Sequence, residues 1–263
     1  MKIEEASYEG NNQLIHEWIR QLGLQSVEDR MKTSEKRIIF FIGDRLTVSW
    51  FSGLQKMRAE DLNSFDRYDF LVPVCGWLHA NMAHVNSLHE QYLGSNADRG
   101  IRHAATLLKR KGLLCALTKG PFYHNLKELV FQVTAAHVRV CWRLVSGVEK
   151  LESLRRKRPE ELIELAEQLL NQYASSRALS KIDEQKKDEQ YDEVMYEATM
   201  MTRDLLHYVL MENAVKHGDV GIMENMLTHL YLYTSGFKEG IIRITPFLCL
   251  KCFKEFTGNG LLK

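Results

Sequence analysis

RIIFFIGDRLT, residues 37–47, is a run of β-branched and aromatic residues that stops abruptly at Gly43-Asp44. A short apolar run closed by glycine reads as a buried strand. It presents a single carboxylate at its C-terminal end, where open α/β sheets gather their ligand and metal chemistry. Just downstream, Thr47 is expected to cap a helix whose apolar face is Trp50, Phe51, Leu54 and Met57. Residues 70–75 repeat the strand pattern and end at Gly76, and residues 77–93 read as a helix. The order strand, helix, strand, helix favours a parallel pair joined by a right-handed crossover. No other stretch reads as convincingly β.

On either side of this unit the chain carries helix formers with apolar residues three and four apart, and only four prolines. Upstream, Leu14, Trp18, Ile19 and Leu22 form a stripe that Gly23 ends. Downstream, residues 102–217 read as helical, with breaks at Gly112, Gly120-Pro121 and Gly147. Proline in a first turn and acids beside the positive end of the dipole mark a helix start at Pro159-Glu160-Glu161. Residues 175–190, SSRALSKIDEQKKDEQ, are the most polar tract and are expected to be a mobile connection. Residues 191–217 read as a long helix stopped by Gly218, with Asp219 capping the next. The expected fold is therefore α/β but predominantly helical: a small parallel β-α-β-α unit at about residues 37–93, with a large helical region. The expected division is residues 1–100, an N-terminal helix plus the α/β unit, and residues 101–263, the helical region.

With 263 residues, 45% of them hydrophobic, the chain buries a real core. Thirty-five Lys and Arg against thirty-four Asp and Glu provide no global field for a polyanion, so nucleic-acid binding has to be local. Five cysteines, an odd number scattered in apolar segments, suit reduced thiols rather than a disulfide framework. The acidic, polar N-terminus lacks the halves of a signal peptide, and no apolar run approaches the roughly 20 residues that span a bilayer. The expectation is an intracellular protein, of nucleus or cytoplasm, with no membrane partner.

Asp44 has two readings: a ligand to Mg2+ through carboxylate oxygens, or a cap on the turn that follows it. His79, just after the second strand, is the residue best placed to join it at a metal. His79, His84 and His89 step about 140 degrees each time around a helix, so they cannot all face one ion. Cys249 and Cys252 form a CxxC without a second pair, which reads as core thiols rather than zinc ligands. Glu212, Asp219 and Glu224 surround a helix break and are candidates for acid-base or two-metal chemistry, against a bland reading as cap and solvated acids. Two cationic runs are candidate phosphate contacts: Lys109-Arg110-Lys111 and Arg155-Arg156-Lys157-Arg158, the latter also suited to nuclear import. No G-x-S-x-G, Walker A or G-x-G-x-x-G motif occurs, which argues against serine hydrolases, P-loop NTPases and ordinary dinucleotide enzymes.

Several phrases together carry a family likeness: EASYEGNNQLIHEWIRQLGL, IGDRLT, DRYDFLVPVCGWLHANMA and RDLLHYVLMENAVKHGDVGIME, supported by KRKGL, KGPFYHN and RPEELIELAEQLL. They resemble an uncharacterised domain family present in many copies in fungi, and sporadically in animals, regarded as mobile-element derived. The likeness runs from about residue 4 to residue 240. It implies a transposase-related, ribonuclease-H-like core in which three acids hold two Mg2+ ions for phosphodiester cleavage. Asp44 is then the second acid, and residues from about 100 to 240 a helical insertion. Longer relatives carry an Asp-Asn phrase upstream and a Gln-Glu-His-Asn-like phrase downstream, which this chain does not. Where the family often has glutamine after the glycine-aspartate pair, this chain has Arg45.

The resemblance therefore implies a truncated member holding one acid of three, and the balance leans away from an enzyme. The leading expectation is a catalytically incomplete domain that binds nucleic acid or protein, with self-association through exposed edges. Two alternatives stand beside it: a Mg2+-dependent nuclease or phosphodiesterase using Asp44 with late-chain acids, and a structural protein-interaction module.

Overall fold

The computed structural model describes residue 4 and residues 6–95, 99–109, 123–185 and 191–235, with backbone alone at positions 45, 75, 228 and 231–235. These residues fall into two compact units, one running to Ala80 and the other spanning Asn81–Thr234. The chain is α/β and predominantly helical, as expected.

The first unit begins with α1 (Tyr8–Gln21) and α2 (Val27–Lys36), each opened by a serine cap: Ser7 Oγ accepts from Gly10 N–H and Ser26 Oγ from Asp29 N–H. Strand β1 (Ile39–Gly43), helix α3 (Arg45–Met57) and strand β2 (Leu71–Cys75) follow. The strands pair in parallel, in register from Ile39 opposite Leu71 to Gly43 opposite Cys75. Alternation along β1 turns Ile39 and Phe41 inward and leaves Phe40 and Ile42 46% and 70% exposed.

The inner face packs on Ile15, Ile19, Phe51 and Leu54, with Trp18, Phe41 and Phe51 in ring contact at 4.5–5.9 Å. In α1 the buried apolar residues are Ile15 and Ile19, with Trp18 packed against the same core, whereas Leu22 is 60% exposed, so the expected stripe holds at Trp18 and Ile19, gains Ile15 and fails at Leu22. Gly43 lets α3 start close to the strand, since a Cβ there would sit 3.1 Å from Thr47 Cβ. Tyr68 is fully buried at φ 60, a backbone conformation that costs a bulky residue energy. Its surroundings hold it there: Gln55 Nε2 donates to the Tyr68 and Leu71 carbonyls, Arg58 lies 4.8 Å over the ring, and the hydroxyl donates to Asn12.

Helix α4 (Trp77–Tyr92) begins in the first unit and belongs to the second from Asn81 onward. The second unit continues through α5 (Ile101–Leu108), α6 (Tyr123–Ser146), a 3₁₀ turn (Leu151–Arg156), α7 (Pro159–Tyr173), α8 (Ser176–Glu184), α9 (Glu193–His217) and α10 (Val220–Ser235). Its main core joins Val85 and Leu88 of α4 to Leu129 and Val130 of α6 and Leu205 and Tyr208 of α9. Helix ends follow the chemistry read in the sequence at Gly147 (φ 64), at Pro159 and at Gly218 (φ 71). The polar tract at 175–190 does not: residues 176–184 form α8, capped by Ser175 and anchored by Ala178, Leu179 and Ile182. Three apolar residues at helical spacing outweigh the tract's polarity once a neighbouring surface takes them. Gly112 and Gly120-Pro121 lie outside the described residues.

Candidate functional site

Asp44 stands at the carboxyl end of β1, where its side chain caps α3. Oδ1 accepts from the Thr47 backbone N–H at 2.7 Å and from the Thr47 hydroxyl at 2.6 Å. Thr47 is thus the donor in this cap and Asp44 the capping residue, because the helix starts one turn earlier than the sequence suggested. The two Thr47 bonds hold the carboxyl below its ordinary 3.8 against the cost of burial, with a lesser contribution from the charge of His79. His79, exposed in the first turn of α4, therefore shares the same neighbourhood. No third ligand joins them: among the described residues, no group of three or more His, Cys, Asp or Glu is placed to hold a metal ion.

The acid that acquires a full set of partners is Glu212, on α9. Oε1 accepts from the Tyr123 hydroxyl at 2.7 Å, from Asn81 Nδ2 at 3.1 Å and from the Tyr208 hydroxyl at 3.4 Å, while Lys127 Nζ pairs with Oε2. Only 12% of the Glu212 side chain is exposed. Burial pushes its carboxyl up, and the bonds from Lys127 and Tyr123 more than offset this, leaving it below the usual value. Burial and the Glu212 acceptor push the Tyr123 phenol up to about 12, and Tyr208 is raised in the same sense. The result is an anionic centre whose donors come from α4, α6 and α9. Oε1 is fully engaged and Oε2 is held by Lys127, so the group serves as a structural anchor.

A second buried carboxylate, Asp204, accepts from the Tyr92 hydroxyl at 2.5 Å and from Arg203 Nε at 2.7 Å. His84, fully buried in the same helical core, is driven down to about 3 by desolvation.

Asp219 and Glu224 do not join the Glu212 cluster. Asp219 Oδ1 accepts from Ile222 N–H and so caps α10, and Glu224 is exposed. Cys249 and Cys252 lie outside the described residues.

Of the cationic runs, Lys109 closes α5 in a left-handed conformation and is exposed, while Arg110 and Lys111 lie outside the described residues. Arg155, Arg156, Lys157 and Arg158 are all exposed, held in place by buried Leu154 in the 3₁₀ turn. Glu161 lies 4.0 Å from Lys157 and 3.6 Å from Arg158, and it also accepts from the Arg158 N–H. Arg155 lines an apolar hollow of about 470 Å³, walled by Trp142, Leu151, Leu154, Leu162 and Ile163. Nothing in the one-dimensional pattern signals this hollow, because its walls come from three separate elements.

No described helix is long and apolar enough to cross a membrane. Residues 1–239 match the family of unknown function DUF6589, and the chain belongs to that family. No curated protein and no solved structure matches it.

Proposed function

We propose that this chain, as a member of a family whose function is itself unknown, is a catalytically incomplete, mobile-element-derived domain that binds nucleic acid. The observation that carries the reading is the exposed run Arg155-Arg156-Lys157-Arg158 beside an apolar hollow containing Trp142. Clustered cations release counterions from phosphates, and an adjacent aromatic surface receives the face of an unstacked base. Lys109, Arg110 and Lys111 are proposed as a second phosphate contact. Such contacts position a strand without reading its sequence. The cap made by Asp44 supports the non-hydrolytic half of the proposal, since one of its oxygens is already taken by Thr47.

Fluorescence anisotropy with a labelled single-stranded 20-mer tests this. The expected result is saturable binding whose log affinity falls linearly with log salt, with a slope reduced by about one for each of Arg155→Ala and Arg156→Ala. Absence of binding at low salt overturns it. Mg2+-dependent cleavage lost in Asp44→Ala overturns the incomplete-site half and revives a nuclease built from Asp44 and late-chain acids. Ile42, 70% exposed on the outward side of β1, favours self-association as well. A strictly monomeric light-scattering profile at high concentration refutes that part.

A further inference from the structure

A cavity of about 650 Å³ lies within the helical unit, between the end of α4, α5, α6 and α9. That volume falls in the range of small-molecule sites, roughly 300–1,000 Å³, and is too small to seat a protein partner's helix along its length. Its walls include Ala104, Leu107, Val133, Ala136, Val194 and Met200. Leu107 and Val194 are 66% and 50% exposed, an arrangement an apolar occupant would relieve.

The polar groups at the cavity are mostly committed to one another. Arg99 pairs with Glu197 at 3.2 Å. The Tyr92 hydroxyl donates to Asp204 and accepts from Gln91 Nε2, so toward the cavity this residue contributes ring surface. His137 also lines the cavity, and its bonding fixes its tautomer. The Thr202 hydroxyl donates to the Ala198 carbonyl at 2.7 Å, and a hydroxyl has one proton to give. At the 2.9 Å contact with His137 Nδ1, Thr202 must therefore accept, which places the imidazole proton on Nδ1. The remaining ring nitrogen, Nε2, is left as an acceptor. Burial, which lowers the pKa of this ring, keeps it in that neutral state.

We propose that this cavity binds a neutral, mainly apolar small molecule carrying one hydroxyl, with the body against Leu107, Val133 and Met200 and the hydroxyl donating to His137 Nε2. The two interactions are complementary: an apolar wall selects the body, and the Nε2 acceptor rewards one donor.

The test uses two probes of nearly the same shape, 2-naphthol and 2-methoxynaphthalene, which differ in having and lacking the donor. Binding to the full chain is followed by probe fluorescence, with folding of each variant verified by circular dichroism. The expected result is saturable binding of 2-naphthol, at least about fivefold tighter than the methyl ether. His137→Phe should bring the two probes to equal affinity, and Ala136→Trp, which fills the cavity from its wall, should abolish binding of both. No saturable binding, equal affinities in the unaltered protein, or binding unchanged in Ala136→Trp each overturns the proposal. A variant that loses its helical signal is replaced by Ala104→Phe, which occupies the same space from α5, and the same outcomes are read.

Discussion

In the α/β unit the conspicuous carboxylate, Asp44, finds its partner three residues away, whereas in the helical unit Glu212 finds Tyr123 and Lys127 89 and 85 residues away. The first bond is made as soon as a helical turn forms. The second exists only when α4, α6 and α9 have assembled, and so it ties those helices to one arrangement. A strand-end aspartate that looks like chemistry is here spent on local backbone satisfaction. A glutamate near the end of a long helix, whose bland reading is a solvated acid, organises a buried polar cluster. Conspicuousness in sequence and energetic importance are therefore different quantities, and substitutions at the two sites measure the gap between them.

The largest effect is expected at Glu212. Glu212→Ala leaves Lys127 without its anion and the buried Tyr208 and half-buried Tyr123 phenols without this acceptor, a loss of about 2–4 kcal/mol in urea unfolding, discounted because the Lys127 side chain is 34% exposed. Lys127→Met combined with Glu212→Leu should cost less than Glu212→Ala alone, since no unpaired charge remains. Should Glu212→Ala cost no more than a cap deletion, the contrast between the units collapses.

Tyr92→Phe comes next. It removes the donor to Asp204, which keeps Arg203, so about 1–2 kcal/mol is expected in the same measurement.

Asp44→Ala removes a helix cap worth about 1 kcal/mol, and Asp44→Asn, which keeps an acceptor, should cost well under half of that. The native pKa of Asp44 lies below its ordinary 3.8, so its charge stabilises the fold at neutral pH. That contribution is lost as the pH falls from 3.8 through the native value. The difference in stability between the unaltered chain and Asp44→Ala should accordingly shrink below about pH 4. A difference that grows instead on acidification contradicts the cap.

The smallest effect belongs to Arg155→Ala with Arg156→Ala. Both side chains are exposed and form no ion pair with a described residue, so the pair should alter stability by less than about 0.5 kcal/mol. Oligonucleotide affinity, measured on the same protein, should nonetheless fall.

The α/β element was legible because its signals are local. Two β-branched runs closed by Gly43 and Gly76, with amphipathic helices between and after, specify strands and helices through backbone preference and side-chain period. Gly147, Pro159 and Gly218 marked helix boundaries for the same reason. The misreadings also have physical causes. Thr47 and Asp44 are both good caps, and only the starting turn of α3 decides which one acts. The tract 175–190 is polar on average, but Ala178, Leu179 and Ile182 carry the burial that makes residues 176–184 a helix. The hollow beside Arg155 and the cavity lined by His137 were invisible, because each is bounded by elements distant in the chain.

By itself, then, the sequence determined the element types, the parallel α/β order near residues 37–93, the predominance of helix and the position of the exposed cationic run at 155–158, all of which follow from residues within a few positions of one another. Tertiary structure alone decided that Glu212 rather than Asp44 is the richly bonded acid, that His137 carries its proton on Nδ1, and that a cavity opens among α4, α5, α6 and α9. Those outcomes depend on which helix faces meet, and that is fixed by the summed packing of the core rather than by any short stretch of chain.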